Sequence, residues 1–259
     1  MKINAYNETS RATGSRLGGV TGYWKSEGAE KTSSKPTFRQ MELTLKKLIG
    51  LCYASDELLE DVVALSSVIR QAFIDELSFM VDDSIVNGTG VGQPLGILNA
   101  PSLVTVTRAG AGAIASADIF NMWSRCINPT NGVWLANQDI LPTLYQMSVT
   151  AGTGGGVTTM IKEGSMPGAP PLAMMGIPIL PIEQCQTYGT KGDLYLANLA
   201  EGYVIVSKGI KQDISMHVRF IYDESAYRFV LRIDGQSILS SAITPFKGSS
   251  TKSHFVALS

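Results

Sequence analysis

The sequence predicts an α+β chain in which antiparallel strands gather around one long helix behind a polar arm. Three observations carry this. Residues 55–98, SDELLEDVVALSSVIRQAFIDELSFMVDDSIVNGTGVGQPLGIL, read as a long amphipathic helix that stops at Asn87-Gly88 and leaves through a Gly-rich loop. Apolar and polar residues alternate before it, at Met41–Lys46, and far after it, at Ile214–Phe220 and Phe229–Ile233. The first 40 residues are rich in Gly, Ser and Thr and hold few core candidates.

That polar stretch cannot bury enough apolar surface to fold alone, so it is either a disordered tail or an extended arm ordered against something else. Its apolar exceptions are Val20, Tyr23 and Trp24. Aromatics in a polar arm mark either a docking point or a small local cluster. Lys35-Pro36-Thr37-Phe38 introduces a strand in which Met41, Leu43 and Leu45 alternate with Glu42, Thr44 and Lys46. Ser55 is placed to cap the helix, with Asp56 and Glu57 in the first turn where the dipole favours them. Leu58, Leu59, Val62 and Val63 form a first stripe, and Ser66 or Ser67 offers a second start, which would give a short helix and then a longer one. Asp82 and Asp83 lie at the unfavourable C-terminal end, where a partner surface would compensate them.

Residues 100–205 read as a mixed unit. Asp118 caps a helix through Ile119, Met122, Trp123 and Cys126; Val133-Trp134-Leu135 is a short strand; Asn137 caps a helix over Gln138–Met147. TAGTGGG at 150–156 is a flexible loop, Gly176–Pro181 is extended, and Leu194-Tyr195-Leu196 is a buried strand. The last strands form a hairpin that turns at Asp223-Glu224-Ser225 and pairs with the strand at 41–48.

Composition excludes several classes. The 259 residues are 44% hydrophobic and only 17% charged, with formal net charge −1. So little charge points to surface covered by partners or to a large core. No dense Lys/Arg block suggests direct nucleic-acid binding. Cys52, Cys126 and Cys185 form no metal or disulfide framework and read as buried thiols in a reducing compartment. No apolar run reaches the roughly 20 residues that span a bilayer, and the N-terminus lacks the apolar core of a signal peptide.

No catalytic motif stands out. Gly88, Gly90 and Gly92 follow a helix and precede a strand, the reverse of a dinucleotide fingerprint, so their reading is structural. The loop at 152–156 lacks the Lys-Ser/Thr of a phosphate loop. His217 and His254 are isolated and supply no zinc spacing, and no G-x-S-x-G occurs. Glu57, Glu60, Asp61, Asp82 and Asp83 read as solvated or inter-subunit charges, and no cofactor or metal is expected.

Taken in order, the polar arm, KPTFRQMELTLKKL and the 55–98 segment resemble the major capsid proteins of tailed bacteriophages, the Hong Kong 97-type fold. GVWLANQDILPTLYQM, MMGIPILPIEQ and DISMHVRFIYDESAYRFVLRIDGQSILSSAITPFKG extend the resemblance over nearly the whole chain. It implies an E-loop at 1–40 lying over a neighbour, a P-domain from 41–108 with the spine helix and from 206–259 with the return strands and tail, and an A-domain at 109–205. It implies a non-enzymatic shell subunit forming hexamers and pentamers around double-stranded DNA, in the virion capsid and before that in the host cytoplasm. A scaffold, portal and protease would be its partners, contact with the genome would be non-specific, and no membrane is involved. Tyr23, Trp24, Lys25, Asp82 and Asp83 become expected subunit contacts, and Gly152, Gly154, Gly155 and Gly156 an expected axis-proximal loop. Because Met1 already stands in the E-loop's first strand, the N-terminal arm and scaffolding region usual in the family are expected to be lacking. Some members cross-link an E-loop Lys to a P-domain Asn; residues 226–232 hold no Asn, so no such bond is expected at Lys25 or Lys31. The alternatives are an encapsulin-like or prophage-derived shell enclosing protein cargo, and an unrelated enzyme with an unrecognised site.

Overall fold

The computed structural model describes residues 1–55, 57, 65–110, 112–151, 156–159, 161–162 and 172–259. The first half runs β1 (Lys2–Tyr6), β2 (Phe38–Glu42), β3 (Lys46–Ser55), α1 (Leu65–Asn87), β4 (Val104–Val106), α2 (Ser116–Arg125), β5 (Val133–Ala136) and α3 (Leu141–Gln146). Then come β6 (Ser148–Ala151), β7 (Gly156–Thr159), β8 (Ile161–Lys162), β9 (Ala173–Met174), β10 (Ile177–Pro181), β11 (Leu194–Ala197), α4 (Leu199–Gly202), β12 (Tyr203–Arg219), β13 (Glu224–Ser237) and β14 (Phe255–Leu258). The chain divides into two compact units: one from Leu43–Gly96 and Ile205–Gln236 with Met1, the other from Lys2–Glu42, Ile97–Val204 and Ser237–Ser259.

The first unit lays α1 on a three-stranded sheet of order β12-β13-β3. β13 and β3 pair antiparallel from Glu224 opposite Ser55 to Ile233 opposite Lys46. Alternation sends Leu48, Cys52 and Ala54 to the helix side, where they meet Ile69, Phe73 and Leu77, spaced four apart on α1. Phe73 stacks on Phe229 with ring centroids 4.6 Å apart. Gly50 makes room for that ring, since a Cβ there would lie 2.6 Å from it.

The Gly-rich exit from α1 is a packing device. The Gly88 amide donates to Ser84 O at 3.1 Å and the Gly96 amide to Gly88 O at 2.8 Å. A Cβ on Gly88 would lie 2.2 Å from Pro94 O, and one on Gly96 would lie 2.4 Å from Gly88 N. The loop is tied to the sheet by Leu95 N–H donating to Gly235 O at 2.8 Å and by Lys46 Nζ donating to Gln93 O at 2.9 Å. Asp234 sits at this joint, only 4% exposed. Its carboxylate accepts from Thr44 N at 2.7 Å, Lys46 Nζ at 3.0 Å and Gly235 N at 2.9 Å.

The strand expected over 41–48 is two strands. The alternating burial of Met41 and Leu43 is present, but the Leu43 amide turns to Met1 O and the Thr44 amide to Asp234, which ends β2. The partner of β13 is therefore β3, the ten residues KKLIGLCYAS, and Ser55 closes that strand. Asp56 and the stripe Leu58, Leu59, Val62 and Val63 lie outside the described residues. The hairpin is longer than its alternating stretch: β12 begins at Tyr203, and the turn is Phe220–Tyr222 with Asp223 left-handed (φ 50°) rather than 223–225.

The second unit is built on a mixed sheet of order β4-β14-β11-β5-β10-β9-β8. β11 (LYLA) and β14 (FVAL) are buried on both faces, which is why they read as unbroken apolar runs. Trp134, Ile119, Met122 and Leu144 fill the core, and Trp134 Nε1 donates to Met174 O at 3.1 Å. α2 starts two residues before the expected cap. Asp118 stands in its first turn, wholly buried, and accepts from Ala109 N at 3.0 Å and Ala115 N at 2.9 Å. Asn137 Oδ1 accepts from Asp139 N at 3.0 Å and opens a 3-10 turn, Gln138–Ile140, that leads into α3.

Within this unit the polar first 40 residues take the form of an arm. β1 and β2 pair antiparallel at its base, Lys2 opposite Glu42 and Tyr6 opposite Phe38. Thr37 N donates to Gly18 O at 2.7 Å and Arg11 N to Thr244 O at 2.8 Å, so backbone hydrogen bonds stand in for the missing core.

Candidate assembly surfaces

Each expected contact residue has a definite place. Trp24 is entirely exposed (103%), with Tyr23 and Lys25 exposed beside it on the arm. Asp82 is exposed on α1. Asp83 is half-buried and accepts from Asn87 Nδ2 at 2.7 Å, so part of the expected compensation at this helix end is local. Gly152, Gly154 and Gly155 lie outside the described residues, and Gly156 opens β7 opposite Ala151. Residues 150, 151 and 156 thus belong to a two-stranded ladder rather than to the loop expected over 150–156.

Two surfaces were not legible in the sequence. The first is apolar. The distal half of β12 and its turn expose Ile214, Met216, Val218, Phe220 (72%), Ile221 (84%) and Tyr222. Alternation had marked Ile214–Phe220 as half-buried, but the buried cluster beneath α1 takes its residues from β3, β13 and α1 and none from β12. On β3 the side facing away from α1 also exposes Ile49, Leu51 and Tyr53. Apolar surface left bare this way on a folded unit marks a place where another molecule packs.

The second surface is basic. Lys47, Lys208, Lys211, Arg228 and Arg232 line a trough of about 240 Å³ with Gly209, Val230 and a single carboxylate, Asp213. Arg232 lies opposite Lys47 across the β13–β3 ladder, and Asp213 takes Arg228 Nη2 at 2.6 Å. These residues are scattered in sequence and meet only through the sheet. The readable trace was the alternation of Arg228, Val230 and Arg232 against Phe229 and Leu231.

The titratable groups inside the fold are structural. Burial pushes the Cys126 and Cys185 thiols up to about 12, with Glu201 and Asp193 adding to the shift respectively. A thiol held that high is almost wholly protonated at pH 8 and reacts slowly. A thiol-exchange reagent at pH 8 is therefore expected to label one cysteine quickly, the half-buried Cys52, and the other two only after denaturation. Fast labelling of all three in the folded protein would contradict the buried placement. Burial lowers the pKa of His254, whose Nδ1 has no partner among the described residues. Among the described residues no group of three His, Cys, Asp or Glu is placed to hold a metal ion. No described helix is long and apolar enough to cross a membrane.

An α+β subunit with an exposed aromatic arm and a long apolar hairpin tip is built to assemble with other chains. A sequence model of the Phage capsid family matches residues 3–248, and the chain belongs to that family. It has the Hong Kong 97-type fold and is a major capsid protein: a structural, non-enzymatic subunit of the virion shell that oligomerises with itself into capsomers. The capsid of a native GTA particle is similar with TM-score 0.75 at 14% identity, over 100% of this chain and 84% of that one. A chain from Microbacterium phage Oxtober96 is similar with TM-score 0.69 at 11% identity, over 100% and 85%. The holo-SrpI encapsulin complex from Synechococcus elongatus PCC 7942 is similar with TM-score 0.54 at 14% identity, over 87% and 76%. No curated protein matches at a significant level.

Proposed function

We propose that this major capsid protein forms hexamers and pentamers of an icosahedral head enclosing double-stranded DNA. In that reading 41–108, with α1 as spine helix, and 206–259, with the return strands and tail, form the P-domain. Residues 109–205 form the A-domain, and 1–40 an E-loop that lies over a neighbour. Tyr23, Trp24 and Lys25 are contacts of that arm, Asp82 and Asp83 face a neighbour along α1, and the 152–156 loop lies near a capsomer axis. The partners are a scaffold, a portal and a protease, met in the host cytoplasm before assembly. The observation that carries the reading is the uncovered apolar surface from Ile214 to Tyr222, which a lone subunit would expose to water.

Electron microscopy of the purified protein tests it. Capsomers or shells are expected, with nuclease-protected DNA inside particles recovered from cells. Protein that stays monomeric at every salt concentration would sink the reading, and shells that protect only protein cargo would move it to an encapsulin-like compartment. Limited proteolysis adds a second readout: the arm between Tyr23 and Lys35 should be cut in free subunits and protected in assembled ones. Equal cutting in both states would count against the overlap with a neighbour.

A further inference from the structure

We propose that the basic trough on the open face of the β12-β13-β3 sheet binds the phosphate backbone of duplex DNA, an inference that rests on the capsid reading and assigns its nucleic-acid contact to particular residues. The chain as a whole carries −1, yet this one depression gathers five cations against one carboxylate. Asp213 is already engaged by Arg228, so the equivalent of four positive charges remains, and Lys47, Lys208, Lys211 and Arg232 form no ion pair with any described residue. The cations stand on three neighbouring strands of one sheet, with Arg232 opposite Lys47 across the β13–β3 ladder, and not on a tail. Gly209 lies in the lining with no heavy atom within 4 Å of where its Cβ would be, which leaves the floor open to close approach.

The chemistry of the lining separates phosphate from protein as the occupant. Val230 is the one apolar side chain in the trough. A protein segment docking there would gain little from apolar burial, whereas a phosphate backbone needs only positive charge released from its counterions. The exposed Ile49 and Leu51 border the trough on the same face, opposite Val230 and Arg228 across the β13–β3 ladder, and are left to subunit contacts at its edge. The acidic residues of α1 (Asp75, Glu76, Asp82 and Asp83) lie on the other layer of the unit, so nothing in this lining besides Asp213 offsets its charge.

Fluorescence anisotropy of a labelled 30-base-pair duplex titrated with the soluble subunit, repeated from 50 to 200 mM salt, tests this. Four phosphate contacts predict a log–log salt slope of about −3.6, a loss of affinity of roughly 100-fold over that range. The double variant Lys208→Gln/Lys211→Gln should reduce the slope to about −1.8, and the loss to roughly 10-fold. Lys31→Gln/Lys35→Gln removes the same charge from the exposed arm and should leave the slope unchanged. Circular dichroism confirms that both variants fold. An equal fall for the two double variants would show that net charge alone is being read and would overturn the site. So would unchanged DNA binding together with lost capsomers in the trough variant, which would hand the trough to a second copy of the chain. Failure of DNA binding in protein that still forms shells refutes this inference and leaves the capsid reading standing.

Discussion

Asp193→Ala is expected to destabilise the second unit by about 3–5 kcal/mol, the typical cost of stripping one partner from a buried ion pair. Asp193 is wholly buried, and its Oδ2 accepts from Arg108 Nη2 at 2.5 Å and from Gly189 N at 2.9 Å. The Arg108 side chain is only 5% exposed. Its Nη2 also reaches Thr190 O at 3.2 Å, while its Nε and Nη1 have no partner among the described residues. Removing the carboxylate leaves a guanidinium in the interior with its charge uncompensated. Denaturant unfolding of the soluble subunit reads the loss as a shift in midpoint. Arg108→Met in the same chain should recover most of it, because an apolar side chain of similar length no longer needs the pair. A single variant with the parent midpoint would show that water reaches Arg108 and that the pair is not a buried one.

Trp134→Ala is the second large effect, also about 3–5 kcal/mol. Trp134 is among the largest fully buried side chains, and it is central to the cluster that joins β5, β10, β11 and β14 to α2 and α3. Its removal opens a cavity and orphans Met174 O, the acceptor of its indole N–H. Against a net stability of about 5–15 kcal/mol for a typical domain, the variant should accumulate as insoluble or partly unfolded protein. Trp134→Phe keeps most of the ring and should lose clearly less in denaturant unfolding. Equal losses for Ala and Phe would place the cost in the hydrogen bond rather than in the packing.

Trp134 belongs to a part of the chain where local pattern was informative. Val133-Trp134-Leu135 and Leu194-Tyr195-Leu196 are short unbroken apolar runs, and strands covered on both faces leave no other trace. Their pairing order is not contained in those runs. β14 joins the same sheet from the far end of the sequence, and its register with β11, Tyr195 opposite Ala257, depends on atoms brought together only in the fold. Asp193 carries no signal either, since its role follows from Arg108, 85 positions away.

The Gly-rich exit shows the same division. Sequence order, helix first and glycines after, was enough to rule out a dinucleotide loop, because the positive end of a helix has to face the phosphate. That Gly88 and Gly96 are needed for backbone-to-backbone approach, at distances no Cβ could share, is a three-dimensional fact.

By itself, then, the sequence determined the α+β class, the long helix ending at Asn87-Gly88 and the return hairpin, since each follows from the period and order of apolar residues along the chain, and it carried the family in the order of its motifs. Tertiary structure alone decided where β2 ends and β3 begins, which face of β12 stays bare, and that five scattered cations share one trough. The physical reason is that periodicity records which side of an element is apolar, whereas burial and local charge depend on what the rest of the chain places against that side.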